Sequence, residues 1–187
     1  DARYARKAGI LLDRVADLYP GYDYARQGLV YERGGNAGYV SVWHDAVEET
    51  REIALAYDKV FEAIRQDGEL VAFLSRQARR HGLANPKTSF ALVQKNIEER
   101  ILRDAIASPS KIHANFPRME AAIAIMTAIL GWPSNRVEVE SIIDRAAAPA
   151  TSVDGVTGEK GLSGYSAYTV QGLADLRHLR PAEFLGQ

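Results

Sequence analysis

Between Pro117 and Leu130 nearly every residue is apolar: Met119, Ala121, Ala122, Ile123, Ala124, Ile125, Met126, Ala128, Ile129 and Leu130. A helix that is apolar all round must be surrounded by other protein, so this segment is predicted to be the most central element of the fold. It is too short to span a bilayer, which takes ~20 apolar residues, and no other run in the chain comes closer. The rest of the sequence has to supply the layers that cover it.

Most of the remaining pattern is helical. Tyr4, Ala8, Leu11, Leu12, Val15, Leu18 and Tyr19 recur three and four apart, which predicts a first helix with these residues on its buried face, stopped by Pro20-Gly21. A second helix is predicted from about Trp43 to Ile64, striped by Val47, Ala54, Tyr57, Phe61 and Ile64. A third runs from Glu69 to about His81 and ends at Gly82. Pro86 is placed to open a fourth, which extends to about Ala107 with Phe90, Val93, Ile97, Ile101 and Leu102 inward. Pro133 is placed to open the helix after the central one, with Val137, Val139, Ile142 and Ile143 as its stripe. A last helix is predicted from about Ser163 through Tyr168, Leu173, Leu176 and Leu179. Two glycine-rich loops interrupt the series, at 22–42 and 148–164, and loops of that length are often functional. Short strands are predicted only near Leu29–Tyr31 and Tyr39–Val42. Helix after helix with short connections predicts an all-α fold of antiparallel hairpins, a bundle or a ring.

Composition narrows the function classes. The chain has 187 residues, 47% of them hydrophobic, enough for a core. Lys plus Arg number 23 against 24 Asp plus Glu, so the surplus of positive charge typical of nucleic-acid binders is missing. With no cysteine, disulfides and thiolate metal sites are excluded. His44, His81, His113 and His178 lie far apart, and neither a phosphate-binding loop nor a metalloprotease motif occurs. No cofactor is expected. The chain opens at Asp1 without a signal sequence and is read as an excerpt of a longer protein.

Two segments could carry chemistry. Lys111 to Glu120 gathers polar groups at the entry of the central helix. Unsatisfied N–H groups and the positive dipole end suit an anion there, and His113, Asn115 and Arg118 are potential donors. Equally, Asn115 could cap the helix, His113 could lie on the surface, and Glu120 could be a buried carboxylate paired with Arg118 or a lysine. The second segment, Asp154 to Tyr165, is a glycine-rich loop that delivers Tyr165 to a helix start, as a catalytic phenol or as a packing residue with a wet hydroxyl.

These residues bring a family into view. Ala8 to Pro20, an LLDR-type run ending in Tyr19-Pro20, is similar to the opening helix of the heparinase II/III-like polysaccharide lyases. Leu55 to Phe61 resembles the Ala-Tyr-Asp helix of that family. Asn115 to Ala122 resembles its Asn-centred helix entry, and Asp154 to Tyr165 its Asp-Gly…Glu…Gly-Tyr loop. The four segments occur in the family's order across nearly the whole chain. The resemblance implies an incomplete α/α toroid of helical hairpins over residues 1–187, with β-sandwich material following in the longer protein. It implies β-elimination on an acidic polysaccharide or oligosaccharide of glycosaminoglycan or alginate type, in the periplasm or outside a bacterial cell. By position, Asn115 would bind the substrate carboxylate, His113 and Glu120 would sit beside it, and Tyr165 would act as base, acid or both. Such a phenol, with an ordinary pKa of ~10, needs nearby positive charge, for which Arg118 and Lys160 are candidates. Tyr31, Tyr39 and Trp43 could stack on sugar rings or serve as core or rim contacts. Self-association is left open. A glycoside hydrolase on the same ring, using a pair from Glu120, Asp154 and Glu159, and a non-catalytic sugar-binding module are the alternatives.

Overall fold

A computed structural model describes residues 1–24, 29–30, 35–36, 45–114, 116–151 and 174. The described residues form an all-α arrangement with one small hairpin. Helix α1 spans Ala2–Leu18 and passes into a 3-10 turn at Tyr19–Gly21, where Pro20 breaks the helix. Two-residue strands β1 (Leu29–Val30) and β2 (Gly35–Asn36) pair antiparallel, Leu29 opposite Asn36. Helices α2 (Ala46–Arg65) and α3 (Gly68–Arg80) follow. A continuous helical rod then comprises α4 (Phe90–Ile97), a π-helical stretch (Glu98–Arg103) and α5 (Asp104–Ala107). A 3-10 turn (Pro109–Ile112) leads to α6 (Arg118–Gly131), and the turn 132–135 sends α7 (Arg136–Thr151) back along it.

The apolar segment behaves as its composition predicts. Helix α6 packs against α2, α7, α5 and the π-helical stretch. Its Ala122 and Met126 belong to the main core with Tyr57, Ile97 and Leu102, while Ala121 and Ala124 face a second cluster with Val139, Ile142 and Ile143. One helix thus joins both cores.

Helix α1 is rotated from the expected orientation. Tyr4 and Leu11 are 70% and 66% exposed, and Leu18 is exposed too, whereas Gly9, Leu12, Asp13, Ala16 and Tyr19 are buried. Two contacts set this rotation. A Cβ on Gly9 would come within 2.9 Å of Leu70 and 3.1 Å of Ile64, so α1 lies against these side chains along a strip that has no room for a larger residue. Beyond it, Lys87 Nζ, only 2% exposed, donates to Asp13 at 2.5 Å and Asp17 at 2.7 Å, and Asn96 Nδ2 donates to the same two carboxylates at 3.0 and 3.1 Å. Asp13 and Asp17, one turn apart, must therefore face inward, and that displaces the apolar stripe. Burial pushes the Asp13 carboxyl above its ordinary range, against the pull of Lys87 and Asn96.

Other boundaries shift for local reasons. Pro86 does not open α4. Lys87 takes a positive φ of 51° to reach its carboxylates, and the helix starts three residues later, where the Ser89 side chain accepts from Leu92 N–H. Pro133 does not open α7, which begins at Arg136, and Val137 faces solvent while Val139, Ile142 and Ile143 are buried. Residues 148–151, expected in the second loop, continue α7, and the helix carries on through Pro149. Trp43, the remainder of both long loops and the last predicted helix, apart from Ala174, lie outside the described residues.

Asp67 caps α3, its carboxylate accepting from Leu70 N–H at 2.9 Å and from Arg6 of α1 at 2.6 Å. Partial burial opposes ionisation, but these hydrogen bonds outweigh it and hold the Asp67 pKa below its ordinary value. The contribution to stability is therefore present at neutral pH and lost as the pH falls through the carboxylate range. Asp67→Ala should cost about 1 kcal/mol at pH 7, and the difference from wild type should shrink toward zero in urea unfolding at low pH. Lys87→Met, which leaves the buried Asp13 and the partly buried Asp17 carboxylates without their cation, should cost about 3–5 kcal/mol by the same measurement.

Candidate functional site

The segment Lys111 to Glu120 is held at both ends. Ile112 is fully buried in the main core, and Phe116 packs on the second cluster. Between them His113 is exposed on extended backbone. Asn115 lies outside the described residues. Helix α6 begins at Arg118, with Pro117 as the capping residue and no side-chain hydrogen bond at the cap. Glu120 lies in the first helical turn, half-buried, with its Oε2 atom fully buried.

Two cations of this segment, Lys111 and the ligand candidate Arg118, are engaged within the protein. Lys111 Nζ pairs with Asp104, donates to the Tyr19 carbonyl at 3.2 Å, and lies 4.8 Å from the Tyr19 ring centroid. Arg118 donates to Glu48 Oε1 through Nε at 2.9 Å and lies 2.7 Å from it through Nη2. The other oxygen of Glu48 takes Arg51 at 2.6 Å. Glu48 therefore bridges two guanidinium groups beside the α6 entry. Arg118 remains positively charged there, but its orientation is fixed by Glu48.

These contacts also place the residues that flank the first long loop: Tyr24 and Asp45 both lie near the α6 entry. Lys111 ties that entry to Tyr19, and Arg118 ties it to Glu48 in the first turn of α2. Tyr19, Tyr22 and Tyr24 form a chain of ring contacts, 5.6 and 5.9 Å between centroids, and Tyr19 shares a 2.9 Å hydrogen bond with Thr50. Since α7 runs back along α6, its C-terminal half lies at the same end, where Ala146 shares a cluster with Phe116 and Ala121.

Buried tyrosines here are poor bases. Burial raises the Tyr19 and Tyr57 hydroxyls far above their ordinary pKa and pushes Tyr24 up to about 12, so all three stay protonated at neutral pH. Tyr165, Tyr31, Tyr39 and Trp43 lie outside the described residues. Among the described residues, no three His, Asp or Glu side chains are grouped to hold a metal ion, and no helix is long and apolar enough to cross a membrane.

Sequence patterning alone did not reveal the Glu48 bridge, because its partners are 3 and 70 residues away. It also missed a pocket formed by Tyr57, Asp58, Gln94, Glu98 and Trp132, at the far end of α6. A signal for the bridge was available in Glu48 and Arg51, which lie one helical turn apart. No protein-family model, curated protein or solved structure matches the chain.

Glu48→Ala removes the carboxylate shared by Arg51 and Arg118. It should lower stability by about 1.5–3 kcal/mol in chemical unfolding, and Glu48→Gln by less, because an amide oxygen still accepts one guanidinium.

Proposed function

We propose that this chain is the helical toroid portion of a heparinase II/III-like lyase that cleaves uronic-acid-containing polysaccharide by β-elimination, exported to the periplasm or the medium. The reading rests on the four ordered sequence segments. The observation that best supports it is the tie of the α6 entry to Tyr19 and to the first turn of α2, through Lys111 and through Arg118 on Glu48.

The chemistry sets three demands. The C5 proton of a uronate is weakly acidic because the adjacent carboxylate resists further negative charge. That carboxylate must be neutralised, the proton removed, and the leaving glycosidic oxygen protonated. In the proposed site Asn115 and the N–H groups of the first α6 turn meet the carboxylate. Arg118 stands beside the site, and His113 and Glu120 orient the ring. Tyr165 takes the C5 proton and returns one to the leaving oxygen. Hydrolysis by a carboxylate pair, with Glu120 as one member, is the alternative, and product chemistry separates the two.

Elimination leaves a conjugated double bond at the new non-reducing end. Acidic polysaccharides incubated with the full protein should therefore gain ultraviolet absorbance, whereas hydrolysis raises reducing ends alone. Tyr165→Phe should lower turnover by ~10²–10⁴-fold. Asn115→Ala should lower it by ~10²–10³-fold. Unchanged turnover in both variants would remove these residues from the site.

A further inference from the structure

We propose a second carbohydrate site at the opposite end of α6, a shallow subsite for one uncharged pyranose unit of the polymer, formed by Trp132, Asp58, Glu98 and Gln94. Its volume is about 230 Å³, below the ~300–1,000 Å³ of sites for larger ligands, so it fits a single ring. Helix α6 separates it from the Asn115 entry by ~20 Å, taking 1.5 Å rise per residue over its 14 residues.

Glu98 is the central group. It opens the π-helical stretch, and its Oε1 accepts from the buried Tyr57 hydroxyl at 2.9 Å and from Gln94 Nε2 at 2.8 Å. Those two bonds fix the carboxylate while Oε2 takes no hydrogen bond from the described residues. Asp58, exposed, supplies a second acceptor on the same wall. No lining residue is cationic, and among the described residues neither carboxylate forms an ion pair. Trp132, 38% exposed, provides an apolar surface at the rim. Fixed acceptors beside an indole suit a donor-rich ring with an apolar face, which describes a pyranose. The two carboxylates repel a uronate, so the subsite selects the uncharged sugar of a mixed polymer.

This inference takes its ligand class from the lyase reading but can fail independently of it. The test titrates the full protein with methyl glycosides of glucose and N-acetylglucosamine, with glucuronate and with tetramethylammonium, followed by calorimetry. At least one neutral glycoside should bind, glucuronate about tenfold or more weakly, and tetramethylammonium no better than glucuronate. Trp132→Ala and Glu98→Gln should each weaken the neutral glycoside about tenfold, and Trp132→Phe less, with thermal unfolding of Trp132→Phe near that of wild type. Failure of every neutral glycoside to bind, equal binding of glucuronate, binding of tetramethylammonium alone, or unchanged affinity in Trp132→Phe and Glu98→Gln would each overturn the proposal. Elimination activity on polymer, measured in parallel, reports on the lyase reading separately: it can persist when the subsite fails, and glycoside binding can persist when elimination is absent.

Discussion

The buried Lys87 ammonium, shared by Asp13 and Asp17 and backed by Asn96, is the contact on which the arrangement of the first half of the molecule depends. A lone charge in that position would be prohibitive, so the four side chains must meet together or not at all. Their meeting fixes the rotation of α1, draws Lys87 into a left-handed backbone conformation, and delays the start of α4 to Ser89. Arg100 adds to this tie by donating to the Ala16 carbonyl at 2.8 Å. With α1 fixed, Tyr19 is carried into the core against Thr50, and the chain leaves toward the first long loop from a defined point.

The second constraint is the composition of α6. A helix with few polar side chains can serve two cores at once, and it does so by facing Met126 one way and Ala124 the other. Its N-terminal end is then the natural meeting point of segments that the core cannot absorb. The Lys111 to Glu120 entry and the residues that flank the first loop, Tyr24 and Asp45, lie there, beside the Glu48 carboxylate that Arg51 and Arg118 share.

The legibility of these features in the sequence follows their range. Helix α6 was plain because its signal is local and continuous. The stripe of α2 was equally plain, since Val47, Ala54, Tyr57 and Ile64 are buried by ordinary hydrophobic packing. The face of α1 was misread because periodicity counts apolar residues and could not foresee that two aspartates would turn inward for a lysine 74 and 70 residues away. Pro86 and Pro133 read locally as helix starts, but α4 starts after the Ser89 cap and α7 at Arg136. Arg118 is legible as a charged group at the helix entry, but its partner Glu48 lies 70 residues away on another helix. Long-range charge pairing leaves no period in a sequence.

The account stands most directly on a structure of the full protein bound to a uronate oligosaccharide. It predicts one ring whose carboxylate lies against the Asn115 side chain at the start of α6, with the Tyr165 hydroxyl within hydrogen-bonding reach of C5. Finding those two side chains on opposite faces of the molecule, with no sugar between them, would contradict it.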